Sequence, residues 1–286
     1  MKPTGDKMYP ALPKSYKGLY PFKIGTTSYI YPAGYAQNVK MLAPYVDEIE
    51  LLLFESAPDS LPSTHEIEKL LSLSKEFDLT YNVHLPSDIS LSDPEPSIRH
   101  AARETLKKVM DLTASLCPST CTLHLSYDEM GLETERIKKW RERLYRSVKQ
   151  FIATGINSKM ISIETLTYPI EWVEEILIDF NLSVCIDMGH LMVYGFDMEK
   201  VFNRYGNRTS IIHLHGIDKT DDHTSLDRLS KKNMDSVIGI LKQFTKVVSL
   251  EVFSYDHLKA SLKFLEKSWS CMKTATSQQT SRNFYN

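Results

Sequence analysis

The sequence predicts a single (β/α)8 barrel, and three observations carry that prediction. Short runs of β-branched and apolar residues alternate with longer segments of helical period. That alternation produces a parallel sheet covered by helices. The run repeats eight times along the chain with no composition break between repeats. Finally, 286 residues suit one α/β barrel, which commonly uses about 250.

The strand segments are 22–30 (FKIGTTSYI), 46–54 (VDEIELLLF), 79–85 (LTYNVHL), 119–125 (STCTLHL), 160–166 (MISIETL), 182–188 (LSVCIDM), 210–216 (SIIHLHG) and 246–253 (KVVSLEVF). Helical stretches fall between them at 35–45, 64–77, 96–116, 133–154, 169–180, 197–205, 230–244 and 255–268. Ser63 or Thr64 followed by Glu66 and Ile67 reads as a capped start, and Pro94 and Pro96 preset the entry to the third helix. Within that helix Ile98, Ala102, Leu106 and Val109 make an apolar stripe that should face the barrel. Three regions result: an N-terminal extension (1–21), the barrel (22–269) and a polar tail (270–286) expected to be mobile.

Composition narrows the function classes. With 34 Lys and Arg against 36 Asp and Glu the formal charge is −2, so no global excess of cations favours a nucleic-acid backbone. The absence of a long apolar run and of a signal-peptide pattern predicts a soluble, cytoplasmic protein without a membrane partner. The sequence implies no obligate protein partner. Cys117, Cys121, Cys185 and Cys271 form no CxxC pair and read as reduced structural thiols.

Chemistry concentrates at the carboxyl ends of the strand segments, the catalytic rim of a barrel. His84 ends the third, His124 the fourth, Glu164 the fifth, and Asp187 with His190 the sixth. His213 and His215 follow on the seventh, Asp221 and His223 on the next loop, and Glu251 on the eighth. A lone histidine beside an apolar run is usually a core residue, but six of the nine histidines lie in this series. Buried carboxylates need a compensating charge, which a divalent ion supplies. Imidazole with carboxylate suits Zn²⁺, Mn²⁺, Fe²⁺ or Co²⁺, and nine or so ligands could hold two or three ions. Such a site makes a nucleophile from water near neutral pH and binds the leaving oxygen, which fits phosphoester hydrolysis best.

This series resembles the endonuclease IV and xylose-isomerase-like superfamily of barrels over about residues 22–268. The resemblance implies His84, His124, Glu164, Asp187, His190, His213, Asp221, His223 and Glu251 as ligands, with Glu164 and Glu251 also catalytic. The sugar isomerase and epimerase branch would keep mainly Glu164, Asp187, His213 and Glu251. More closely, segments 23–33 (KIGTTSYIYPA), 48–56 (EIELLLFES), 80–91 (TYNVHLPSDISL) and 122–126 (TLHLS) resemble the CbiR family of cobamide-remodelling phosphodiesterases. That likeness implies a cobamide substrate, cleaved between phosphate and ribose of the nucleotide loop to give cobinamide phosphate and an α-riboside. Tyr29, Tyr31 and Tyr35 could pack on a flat corrin, Arg99, His215 and Lys219 could meet substrate, and Glu55 is a rim carboxylate or a local ion-pair partner. The alternatives are a sugar or sugar-phosphate isomerase or epimerase, an abasic-site endonuclease, and a protein that stores metal or corrinoid without turnover.

Overall fold

The computed structural model describes residues 9–218 and 221–282. Its strands are β1 (Lys23–Thr27), β2 (Glu48–Leu52), β3 (Thr80–His84), β4 (Cys121–Leu123), β5 (Ile161–Glu164), β6 (Ser183–Asp187), β7 (Thr209–Leu214), β8 (Gly216–Asp218), β9 (Asp221–Thr224) and β10 (Val247–Leu250). Its helices are α1 (Tyr35–Leu42), α2 (Thr64–Phe77), α3 (Pro96–Thr113), α4 (Thr134–Ile152), α5 (Glu174–Asp179), α6 (Met188–Val193), α7 (Met198–Tyr205), α8 (Lys231–Leu241) and α9 (Tyr255–Arg282). Eight parallel strands close into a barrel in the order β1-β10-β7-β6-β5-β4-β3-β2, as the sequence predicts. β8 and β9 form a separate antiparallel hairpin at the barrel mouth.

The strands are buried on both faces, yet they alternate in polarity. Ile49 and Leu51, Tyr81 and Val83, and Ile161 and Ile163 belong to the apolar core beneath the helices. The Tyr81 hydroxyl donates to the Leu70 carbonyl of α2, which fixes that parity as outward. The opposite parity, Glu48 and Glu50, Asn82 and His84, Ser162 and Glu164, Cys185 and Asp187, then fills the lumen. Low in the lumen Glu48 accepts hydrogen bonds from Thr80 (2.6 Å), Asn82 (3.0 Å) and Ser119 (2.5 Å). Its buried carboxylate is thereby satisfied within the protein.

Three expectations need adjustment. Residues 9–22 are integrated with the barrel: Leu12 and Tyr16 are buried in the core, and Asp47 accepts from the main-chain N–H groups of Gly18 and Ile24. The polar segment expected as a mobile tail continues α9 as far as Arg282, because positions 255–282 contain neither Gly nor Pro to stop a helix. The sixth strand is followed by the short helix α6 as well as α7, and the seventh by the β8–β9 hairpin. Among the described residues, no helix is long and apolar enough to cross a membrane.

Trp269 closes the amino-terminal end of this arrangement, meeting Tyr20 and Phe22 edge-on at 5.5 and 5.6 Å. Replacing a buried Trp by Ala removes its contacts and leaves a cavity. Trp269→Ala should therefore cost about 3 kcal/mol of unfolding free energy in a denaturant titration. A loss under about 0.5 kcal/mol would show that α9 is not docked through this residue.

Candidate metal centre

The inward parity of the strands brings the rim ligands together at one mouth. His84 and His124 lie with Glu164; Glu164, Asp187, His213 and Glu251 form a second group; Asp187, His190, His215 and His223 form a third. Ligand atoms within each group are no more than 4.8 Å apart. Glu164 belongs to the first two groups and Asp187 to the last two, so the groups form one connected chain. A further grouping of Glu164, Cys185 and His213 brings in a thiol whose pKa burial pushes up, in keeping with a reduced structural cysteine.

Each ligand owes its place to local structure. Asp187 caps α6, its Oδ1 accepting from the His190 main-chain N–H at 2.7 Å, so the Asp-x-x-His spacing sets His190 one helical turn beyond. Gly189 lies between them because a Cβ there would come within 2.0 Å of the His215 ring. His84 Nδ1 is 2.9 Å from the Leu85 carbonyl and His190 Nδ1 is 3.2 Å from the Thr165 carbonyl. Protons on those nitrogens leave each Nε2 lone pair for the site. His223 is held in the left-handed region at φ +52° by the hairpin.

The charges are opposed and buried. Glu164 Oε2 lies 3.2 Å from His84 Nε2 and 2.9 Å from His124 Nε2. Burial pushes the Glu164, Asp187 and Glu251 carboxyls towards neutrality, but the facing histidines win and hold all three below their usual range. Conversely, burial disfavours the imidazolium at His84, His190, His213 and His223, and the carboxylates overcome it. His223 is raised to about 10.

The donors fit divalent ions. Asp187 Oδ2, Glu251 Oε2, Glu50 Oε1 and both ring nitrogens of His213 are buried without an aligned hydrogen bond, although His213 Nδ1 is 3.0 Å from Glu251 and Nε2 is 2.9 Å from Glu50. Orphaned buried polar atoms of this kind are costly unless a cation satisfies them.

Several rim residues differ in role from their sequence assignment. The His223 main-chain N–H donates to His215 Nδ1 at 2.9 Å, and a second proton on that nitrogen would clash with it. His215 Nε2 lies 3.2 Å from Asp187 Oδ1. His215 thus lies against Asp187 within the third ligand group, with Nδ1 also 3.1 Å from the Gly216 carbonyl. Asp221 is exposed and outside the ligand groups. Asp222 takes the nearer place, 2.9 Å from His223 Nδ1 and 4.0 Å from His190 Nε2. In an antiparallel hairpin, neighbouring residues point to opposite faces, and spacing alone does not choose between them.

Tyr31 is buried, its hydroxyl donating to the Pro10 carbonyl and its ring lying against Tyr9 and Tyr255, so it offers no platform to a substrate. Tyr35 is likewise engaged, donating to the Leu52 and Ser60 carbonyls. Tyr29 remains exposed at the rim. Arg99 is turned back onto the Asp93 and Pro94 carbonyls. Glu55 accepts locally from Ser60 at 2.7 Å. Lys219 lies outside the described residues.

Glu50 is the residue that the strand-end search missed. It lies in the lumen on β2, its Oε1 2.9 Å from His213 Nε2 and its Oε2 accepting from Ser249 at 2.6 Å. A carboxylate behind a ligating histidine fixes the ring and strengthens its other nitrogen as a ligand. The signal was present in EIELLLF, where Glu48 and Glu50 share one parity inside an apolar run.

A profile of xylose isomerase-like TIM barrels matches residues 46–268. The chain belongs to the xylose isomerase-like TIM barrel family. No curated protein sequence matches it significantly. Among solved structures it is similar to a D-tagatose 3-epimerase-like protein, with 16% identity and a TM-score of 0.73 over 89% of this chain and 99% of the other. It is also similar to D-psicose 3-epimerase from Clostridium cellulolyticum (15% identity, TM-score 0.63, 86% and 99% covered). Endonuclease IV from Thermus thermophilus matches comparably (15%, 0.65, 87% and 99%). At such identities the likeness is one of fold.

Two outcomes follow for this family member. Histidine protons compete with ions for the same lone pairs, so apparent metal affinity should weaken as pH falls from about 9 to about 6, with protons released on loading. Chelator competition across that range checks it; a pH-independent affinity would remove the histidines from the ligand set. Glu50→Gln should weaken metal binding by roughly 10- to 100-fold with little change in fold. Unchanged affinity would make Glu50 a packing residue only.

Proposed function

We propose that the chain is a metal-dependent phosphodiesterase acting on a small-molecule phosphodiester. The observation that supports this reading is the linkage of three ligand groups through Glu164 and Asp187. Chemistry with one ion needs only the Glu164, Asp187, His213 and Glu251 group, which would leave His84, His124, His190 and His223 without a task. Linked sites suit a reaction in which an attacking oxygen and a leaving oxygen both require stabilisation.

His84, His124 and Glu164 would hold an ion on one side of the mouth, with Asp187, His190 and His223 on the other and the Glu164 quartet between. Bound divalent ions supply Lewis acidity, making water acidic enough to act near neutral pH and offsetting charge on a phosphoryl group. The protein contributes orientation: Glu50 braces His213, His215 braces Asp187, and main-chain carbonyls set the tautomers of His84 and His190. The likeness of the first four strand regions to cobamide-remodelling phosphodiesterases supports a cobamide nucleotide loop as substrate, with phosphate retained on the corrinoid product.

A sugar or sugar-phosphate epimerase is the second reading, favoured by the complete quartet and by the fold shared with D-tagatose and D-psicose 3-epimerases. Glu164 and Glu251 would then serve as acid and base across an enediolate. The two readings part at the outer histidines.

Metal-replete protein should be incubated in parallel with an adenosylated cobamide, aldose and ketose phosphates, and abasic DNA. Cobamide cleavage is expected, with the oxygen of labelled water recovered on cobinamide phosphate. His124→Ala and Glu251→Gln should each lower turnover by orders of magnitude in folded protein. Isomerisation of a sugar phosphate that tolerates His124→Ala, with no diester hydrolysed, would establish the epimerase reading instead.

A further inference from the structure

Three aromatic side chains at the barrel mouth, Tyr29, Phe54 and Phe253, belong neither to the buried core nor to the shell packed against it. Tyr29 is 64% exposed. Together they line a cleft of about 430 Å³ that also includes Tyr35, Glu55 and Ser60. Tyr29 and Phe54 both stand nearly perpendicular to Phe253, at 79° and 88°, with ring centroids 6.4 and 6.3 Å away. The cleft is continuous with the ligand groups on two sides. Phe253 stacks on His223 at 4.8 Å and 20°, and Phe54 meets His84 edge-on at 4.7 Å.

We propose that this cleft is a subsite for a planar heteroaromatic ring carried by the substrate, joined to the group that reacts at the metal centre. The proposal takes that group to be a phosphodiester, and in this respect it rests on the function argued above. The wall explains why a ring suits the cleft better than a polyol. The Tyr35 hydroxyl is shared between the Leu52 and Ser60 carbonyls, and the Ser60 hydroxyl donates to Glu55 Oε2. Both hydroxyl protons are spent within the wall. A buried polyol needs a partner for each hydroxyl, whereas an aromatic face needs only another face. The remaining Glu55 oxygen is an acceptor at the edge of the cleft, suited to a ring N–H or amino group. The volume admits one or two fused rings with an attached ribose but not a whole corrin. Tyr29 is therefore assigned to a small ring and not to a macrocycle platform.

The test compares two probes that share ribose and phosphate and differ by the ring. Metal-loaded protein is titrated calorimetrically with adenosine 5′-monophosphate and with ribose 5-phosphate. The nucleotide should bind roughly tenfold more tightly, the usual scale of stacking on an aromatic side chain. Tyr29→Ala should shrink that preference several-fold while leaving ribose 5-phosphate affinity unchanged, and Phe54→Leu should shrink the preference as well. Equal affinities, or a preference that survives both substitutions intact, would overturn the subsite. Because the readout is binding, the two readings fail separately. A ring preference in protein that cleaves no phosphodiester supports the subsite and removes only the assigned reaction; equal affinities in an active phosphodiesterase remove only the subsite.

Discussion

Burial of carboxylates in the mouth of the barrel is the constraint on which the rest of this structure depends. Glu164, Asp187 and Glu251 are at most 2% exposed, and Glu50 is fully buried behind them. Each bare carboxylate removed from water would cost several kcal/mol if left unpaired. The histidines from the other strand ends offset that cost, holding the carboxyls low while the carboxylates hold His213 high. A lumen so charged requires closely placed supports. Gly189 yields room to His215, and the hairpin holds His223 in a left-handed conformation.

Such a centre is stable only because the barrel closes. In an open sheet the polar parity of the strands would face solvent, and the carboxylates and histidines would be hydrated separately. Closure turns that parity inward from every side, so groups far apart in sequence share one small volume. His84 and Glu164 are 80 residues apart yet within 3.2 Å. The small apolar cluster of Cys185, Ile211 and Val247 is distinct from the main core. The aromatic cleft extends the same mouth outward, where rings are left exposed beside the ligands.

The linked ligand groups also distinguish this chain from the least that its fold requires. Fold similarity at 15–16% identity does not choose between epimerisation and hydrolysis. The outer histidines and their supporting carbonyls are where the two chemistries would differ.

Periodicity and the placement of polar residues at the ends of apolar runs determined the barrel, its strand order along the chain and most of the mouth. His84, His124, Glu164, Asp187, His190, His213 and Glu251 could be read from sequence because each is tied to a strand end by one to three residues. The placements that sequence left open depend on distances between elements. Glu50 lies mid-strand and gains its role only by facing His213 across the lumen. Asp222 lies nearer the histidines than Asp221 because the hairpin selects a face, and the His223 N–H reaches His215 Nδ1 across the same hairpin. Tyr31 and Tyr29 follow the same strand and are two residues apart, yet one is buried against Tyr9 and Tyr255 while the other stays open to the cleft. Local sequence sets the parity of a side chain; closure of the barrel decides what that side chain meets.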